Sequence, residues 1–123
     1  MTKLAAARNG YAAANAPTRS YKSIEYDILA QITRRLKAAA DKGPGGFSAL
    51  ALALHDNKRL WNVFAQDVAD PDNKLPDALR GRLFYLAEFT HQHTTAVLRR
   101  RAEVTPLIDI NLAILRGLRG GSE

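Results

Sequence analysis

The stretch that most constrains this chain runs from Leu54 to Pro76 and reads LHDNKRLWNVFAQDVADPDNKLP. Leu50, Leu54, Trp61, Phe64 and Val68 recur at i, i+4 and i+7 spacing, which places them on one face of a helix. Asn57 falls on the same line. Leu60 and Val63 widen the face, so this helix is expected to touch neighbours on more than one side. Asp70-Pro71-Asp72-Asn73 stops it. Proline has no N–H to continue the ladder and pushes the residue before it out of α space, and Asp and Asn favour turns. Leu75-Pro76 then opens a new helix, with proline tolerated in its first turn.

The flanking segments follow the same logic. Ser20 is a plausible cap for a first long helix, with Ile24, Ile28, Leu29, Ile32 and Leu36 on its apolar face. Gly43-Pro44-Gly45-Gly46 ends that helix and reads as a loose linker. A phosphate-cradling loop would need a lysine and a Ser or Thr at the next helix start, and Phe47-Ser48 stands there instead. Ser48 is expected to cap the second helix, which runs to about Val68. A third helix is expected from about Pro76 to Arg100, with Leu79, Leu83, Leu86, Phe89 and Val97 in the core and His93 in line. Gly81 within it would let a neighbouring helix or a ligand come close.

Thr105-Pro106 is a good cap and first position for a fourth helix over about 106–118. Leu107, Ile108, Ile110, Leu112, Ile114, Leu115 and Leu118 surround most of that helix. It is therefore either central or partly exposed as a docking surface. No strand pattern survives anywhere. The fold class is all-α: a four-helix bundle-like single domain, residues 20–119, behind an N-terminal segment of residues 1–19. That segment is alanine-rich, with Leu4 and Tyr11 as its apolar exceptions. It reads as a flexible tail, or as a short amphipathic helix that docks on the body or on a partner.

Size and charge bound the function classes. One domain of 123 residues buries enough surface for a core without staples. With no cysteine there is no disulfide framework and no thiolate chemistry, which suits a reducing cytoplasm. No apolar run is long enough to span a bilayer. Arg8, Asn9 and Gly10 interrupt anything resembling a secretory signal core. The net charge of +6 is compatible with nucleic acid, an acidic partner or simple solubility.

Catalytic and metal readings find no constellation. His91 and His93 stand two apart, on different sides of a helix, and cannot share a metal. His93 reads as a core-edge histidine with a hydrogen-bonded ring. Asp67, Asp70 and Asp72 lack the glycine and glutamate of a calcium loop and are explained by turn formation. There is no nucleophile elbow. The chain reads as a non-enzyme without cofactor. Asn57 and Asn111, amides among apolar residues, are either structural amides that fix helix register or donors to a partner's backbone. Arg99-Arg100-Arg101, with Arg80 and Arg82 on the same helix, form a basic end. This is a solvated face, a contact for an acidic protein, or a phosphate contact.

Several blocks resemble a known family. Asn57-Lys58-Arg59-Leu60-Trp61, Phe64, Asp70 and Pro71-Asp72-Asn73-Lys74-Leu75-Pro76 are similar to the signature of the FlaF family, flagellar biosynthesis regulators of alpha-proteobacteria. Glu25-Tyr26, Thr33, Leu36, Arg80, His93-Thr94, Leu107-Ile108-Asp109-Ile110-Asn111 and Gly117-Leu118 support the likeness in order along the chain. The resemblance implies a cytoplasmic protein needed for flagellin production and export. It would act with flagellin and with FlbT, which represses translation of flagellin mRNA. It further implies helix-in-groove binding of a terminal flagellin helix, with basic residues Arg80, Arg82, Arg99, Arg100 and Arg101 at the rim. By carry-over the partner-binding residues are Asn57, Arg59, Trp61, Phe64, Asn73, Leu75 and Pro76, with Asn111 added from its own position. Trp61 and Phe64 read more readily as core. The alternative function is an RNA-binding regulator acting on flagellin mRNA directly.

Overall fold

The computed structural model describes residues 21–121. Four helices follow one another: α1 (Tyr21–Asp41), α2 (Phe47–Ala69), α3 (Asp77–Leu98) and α4 (Thr105–Gly121). Among the described residues there is no strand, as the 3.6-residue periodicity led us to expect. Ser20, Leu4, Tyr11 and the alternative readings of residues 1–19 lie outside the described residues, as does the side chain of Ile24.

Short connections force the sense of each helix. Arg35 on α1 pairs with Asp56 on α2 at 2.8 Å, and Arg80 near the start of α3 reaches back to the end of α2. Arg100, in the turn after α3, lies 4.3 Å over the ring of Phe47 at the start of α2. The helices therefore run up, down, up, down. The α1–α2 and α3–α4 turns share one end of the bundle. The start of α1, the α2–α3 turn and the end of α4 share the other. In order around the bundle, α2 packs against α1 and α3, and α4 against α1; the α3–α4 seam is the sparsest. The pairs α1–α3 and α2–α4 are the diagonals.

The core is built from the expected lines. Leu29, Ile32 and Leu36 of α1, Leu54, Leu60, Trp61, Val63 and Val68 of α2, and Leu107 and Leu115 of α4 are all buried. Fully burying side chains of this kind contributes about 1.5–3 kcal/mol each. Leu50, Phe64, Phe89, Ile108 and Ile114 pack on that core half-buried.

Four expectations are corrected. The Gly43–Gly46 stretch is not a loose linker but a 3₁₀ turn. Gly43 adopts φ +64, a left-handed value that suits a residue without Cβ, and Gly46 is buried so tightly that a Cβ would overlap the carbonyl oxygen of Ala39. That close approach also sets the start of α2 at Phe47. Gly46 occupies the cap position without a side-chain bond, and Ser48 falls inside the first turn. Leu79 is not in the core; it is 38% exposed. Finally, nothing approaches Gly81: a Cβ there would meet open space.

Candidate functional site

The residues singled out in the sequence separate into three places. The first is a polar knot inside the core. Trp61 Nε1 donates to Asn111 Oδ1 at 2.9 Å, and Asn111 Nδ2 donates to Asn57 Oδ1 at 2.8 Å. All three side chains are buried. An indole nitrogen can only donate, so it fixes which end of the Asn111 amide faces it, and that amide in turn fixes Asn57. The bonds cross the α2–α4 diagonal, where the two backbones themselves do not touch. Asn57 Nδ2 is left without a partner, as is Thr90 Oγ1 on α3. Phe64 stands edge-on to Trp61, ring centroids 5.2 Å apart at 79°.

The second place is the α2–α3 turn. Asp70 and Asn73 each form a local turn with their own side chain: Asp70 Oδ1 accepts from Asp72 N at 2.9 Å and Asn73 Oδ1 from Leu75 N at 3.0 Å. The last carbonyls of α2 lack the usual i+4 partners of a continuing helix. Asn73 Nδ2 donates to the Asp67 carbonyl at 2.9 Å, and Arg80 donates through Nε to Val68 O at 2.9 Å and through Nη2 to Asp70 O at 3.1 Å. Asn73 and Arg80 thus cap a helix. Pro76 stands at the N-cap of α3, and Leu75 beside it is exposed.

The third place is the far turn, where Arg99, Arg100 and Arg101 are exposed. Arg101 N bonds to Ala96 O at 2.9 Å and Arg100 N to Val97 O at 2.9 Å, the double closure that normally carries glycine. Here Arg100 takes the left-handed position, φ 60. Arg80 and Arg82 stand near the start of α3 and this trio just past its end. At about 1.5 Å rise per residue that is nearly 30 Å, so the five arginines do not form a single basic end. His93 behaves as expected: its Nε2 meets the Glu103 carbonyl at 2.7 Å and its ring stacks on Phe89 at 5.1 Å. Arg59 is half-buried on α2. Among the described residues no group of His, Asp or Glu could hold a metal ion.

One surface stands out that the sequence reading had not marked. From Ala69 to Leu86 no residue is buried, although the segment carries Leu75, Leu79, Leu83, Phe84, Tyr85 and Leu86. Leu79, Leu83 and Leu86 share the inward line of α3 with Thr90 and Val97, which are buried further along. The inward face of the first half of α3 is therefore only partly covered, with Leu79 exposed and Leu83 and Leu86 half-buried. Phe84 (45% exposed) and Tyr85 (67%) flank it. Two adjacent aromatics off the leucine line were the available signal.

The model of the flagellar protein FlaF family matches residues 7–118. The chain belongs to the FlaF family. No curated protein and no solved structure matches it. FlaF membership makes this a flagellum-related protein, and the matched span takes in the helical body up to residue 118, three residues short of the end of α4. The FlaF blocks recognised in the sequence include both the polar knot (Asn57, Trp61, Asn111) and the capped turn (Asn73, Arg80). No helix of the described residues is long and apolar enough to cross a membrane.

Proposed function

We propose that this FlaF protein binds flagellin before export, as an adaptor that couples flagellin synthesis to secretion and acts with FlbT. The observation that carries the reading is the partly covered first half of α3, where Leu79, Phe84 and Tyr85 are exposed. Leu79, Leu83 and Leu86 form a helical apolar line that its neighbours cover only in part: Leu79 is exposed, Leu83 and Leu86 half-buried. Such a stripe, flanked by Phe84 and Tyr85, suits an amphipathic helix laid into it, with its apolar side chains at i, i+3 and i+4 meeting the leucines. Leu75 and Pro76 extend the stripe into the turn, and Arg82 supplies a cation at its edge. Asn57, Trp61 and Asn111 then serve the site from below, by holding the bundle that presents it, while Asn73 and Arg80 hold the turn. Phe64 belongs with Trp61, and Arg59 lies on the same helix.

Purified flagellin is expected to co-elute with the protein in size-exclusion chromatography. The double variant Leu79→Ser, Tyr85→Ser is expected to abolish co-elution while leaving the melting temperature near that of the wild type, since neither side chain is buried. Co-elution that survives the double variant would move the site elsewhere; no co-elution with the wild type would end the reading. The RNA-binding alternative rests on Arg99 and Arg101, since Arg100 is engaged by Phe47. It requires binding of flagellin mRNA that falls steeply with salt and is lost in Arg99→Gln, Arg101→Gln.

A further inference from the structure

The polar knot ends on a donor. Trp61 Nε1 can only donate, so it holds the oxygen of Asn111 towards itself and the Asn111 nitrogen towards Asn57 Oδ1. The amide nitrogen of Asn57 is then left with its N–H groups and no acceptor among the described residues. Exchanging nitrogen and oxygen in Asn57 would set nitrogen against nitrogen at 2.8 Å. The amide therefore calls for an oxygen.

A second orphan stands on the neighbouring helix. Thr33, Thr90 and Thr94 are the buried threonines among the described residues. Thr33 and Thr94 turn their hydroxyls back along their own helices, to Leu29 O and Thr90 O, both at 2.6 Å. Thr90 does not: its Oγ1 has no partner among the described residues, although the residue is only 1% exposed. Asn57 and Thr90 lie on the inward lines of α2 and α3, the most closely packed pair of helices. Counted from Ala69 and Asp77, helical rise puts them about 18 Å and about 20 Å from the turn that joins these antiparallel helices, hence at one level.

The chemistry of these two groups selects the ligand. The buried polar residues among the described ones are Thr33, Asn57, Thr90, Thr94 and Asn111, none of them charged, so the ligand is neutral. It must accept from an amide and bond to a hydroxyl, and it must fit between packed helices. Buried polar groups are paired with protein or with ordered water, and a buried water is held by two to four such partners. We infer that one water molecule is bound inside the bundle between α2 and α3, accepting from Asn57 Nδ2 and bonded to Thr90 Oγ1. It extends the knot into a hydrogen-bonded chain that runs from α4 through α2 to α3. Such a link matters most to α3, whose buried residues are Ala87, Thr90, Thr94 and Val97, with no large apolar side chain among them. The site stands whether or not the protein binds flagellin.

In the isotope-labelled full-length protein, the Asn57 side-chain amide is expected to show a direct cross-peak to water, with the NOE and ROE signs of a long-held molecule and not of proton exchange. A crystal structure is expected to show one solvent peak within hydrogen-bond distance of both Asn57 Nδ2 and Thr90 Oγ1. Thr90→Val keeps the shape and removes the hydroxyl. It is expected to abolish the Asn57 cross-peak while the Trp61 indole resonance stays in place, and Thr90→Ser is expected to keep the cross-peak. A wild-type Asn57 amide with no water cross-peak would overturn the proposal, as would an acceptor for that amide found on the chain itself. A cross-peak that survives Thr90→Val would overturn the bridge to α3. Should the valine variant fail to fold, the wild-type spectrum and the crystal structure decide.

Discussion

Trp61 and Asn111 are joined through an indole N–H and an amide oxygen 2.9 Å apart, across a diagonal of the bundle where no backbone contact exists. The bond matters because both ends are buried and Asn111 also serves Asn57. Asn111→Ala removes both bonds and leaves the Trp61 N–H and the Asn57 oxygen without partners. An orphaned buried polar group costs about 1–3 kcal/mol, so the variant is expected to lose about 2–5 kcal/mol of stability, read from the midpoint of urea unfolding. A loss below about 1 kcal/mol would mean that water replaces the amide.

Two glycines make a matched pair. Gly81 faces open space within α3, so Gly81→Ala is expected to raise stability by up to about 1 kcal/mol through the recovered helix propensity. Gly46 presses on the Ala39 carbonyl, so Gly46→Ala forces α1 and α2 apart and is expected to cost about 1–3 kcal/mol. Thermal unfolding of the two variants should move in opposite directions.

Arg100 holds a left-handed conformation that disfavours any side chain, by about 1–2 kcal/mol. Its guanidinium recovers part of that over the Phe47 ring, about 0.5–1 kcal/mol at an exposed site. Arg100→Ala keeps the strain and loses the ring. Arg100→Gly loses the ring and the strain together. The glycine variant is therefore expected to be the more stable of the two by about 1 kcal/mol, measured by chemical denaturation.

Arg80 shows how a conspicuous charge can be a cap. Its two bonds to the carbonyls of Val68 and Asp70 are charge-assisted but partly exposed, so Arg80→Ala is expected to cost about 1–2 kcal/mol. Arg80→Lys keeps the charge but not the planar fork, and is expected to recover little of the loss. A lysine variant as stable as the wild type would show that charge alone suffices.

The helices and their stops were legible because the local code for them is local: apolar side chains at helical spacing, proline and Asp-Asn turns. Asn57 was also legible, since an amide on an apolar line demands a partner. Its partner on a diagonal helix was not, because that depends on how four helices assemble. Leu79 illustrates the same limit from the other side. Periodicity says that it points inward, but not whether anything waits there. Ser48 looked like a cap because serine often is one; the tight seat of Gly46 against Ala39 decided the boundary instead. The roles of Asn73 and Arg80 were hidden for a related reason, since a side chain that closes a neighbouring helix looks in sequence like one offered to a partner.

The indole of Trp61 has a single proton to give, and α2 and α4 must part before deuterium can reach it. Its exchange rate therefore times the opening of the entire molecule. One resonance, at the low-field edge of a proton spectrum, becomes a clock for the bundle, and any ligand that clamps the helices should slow it.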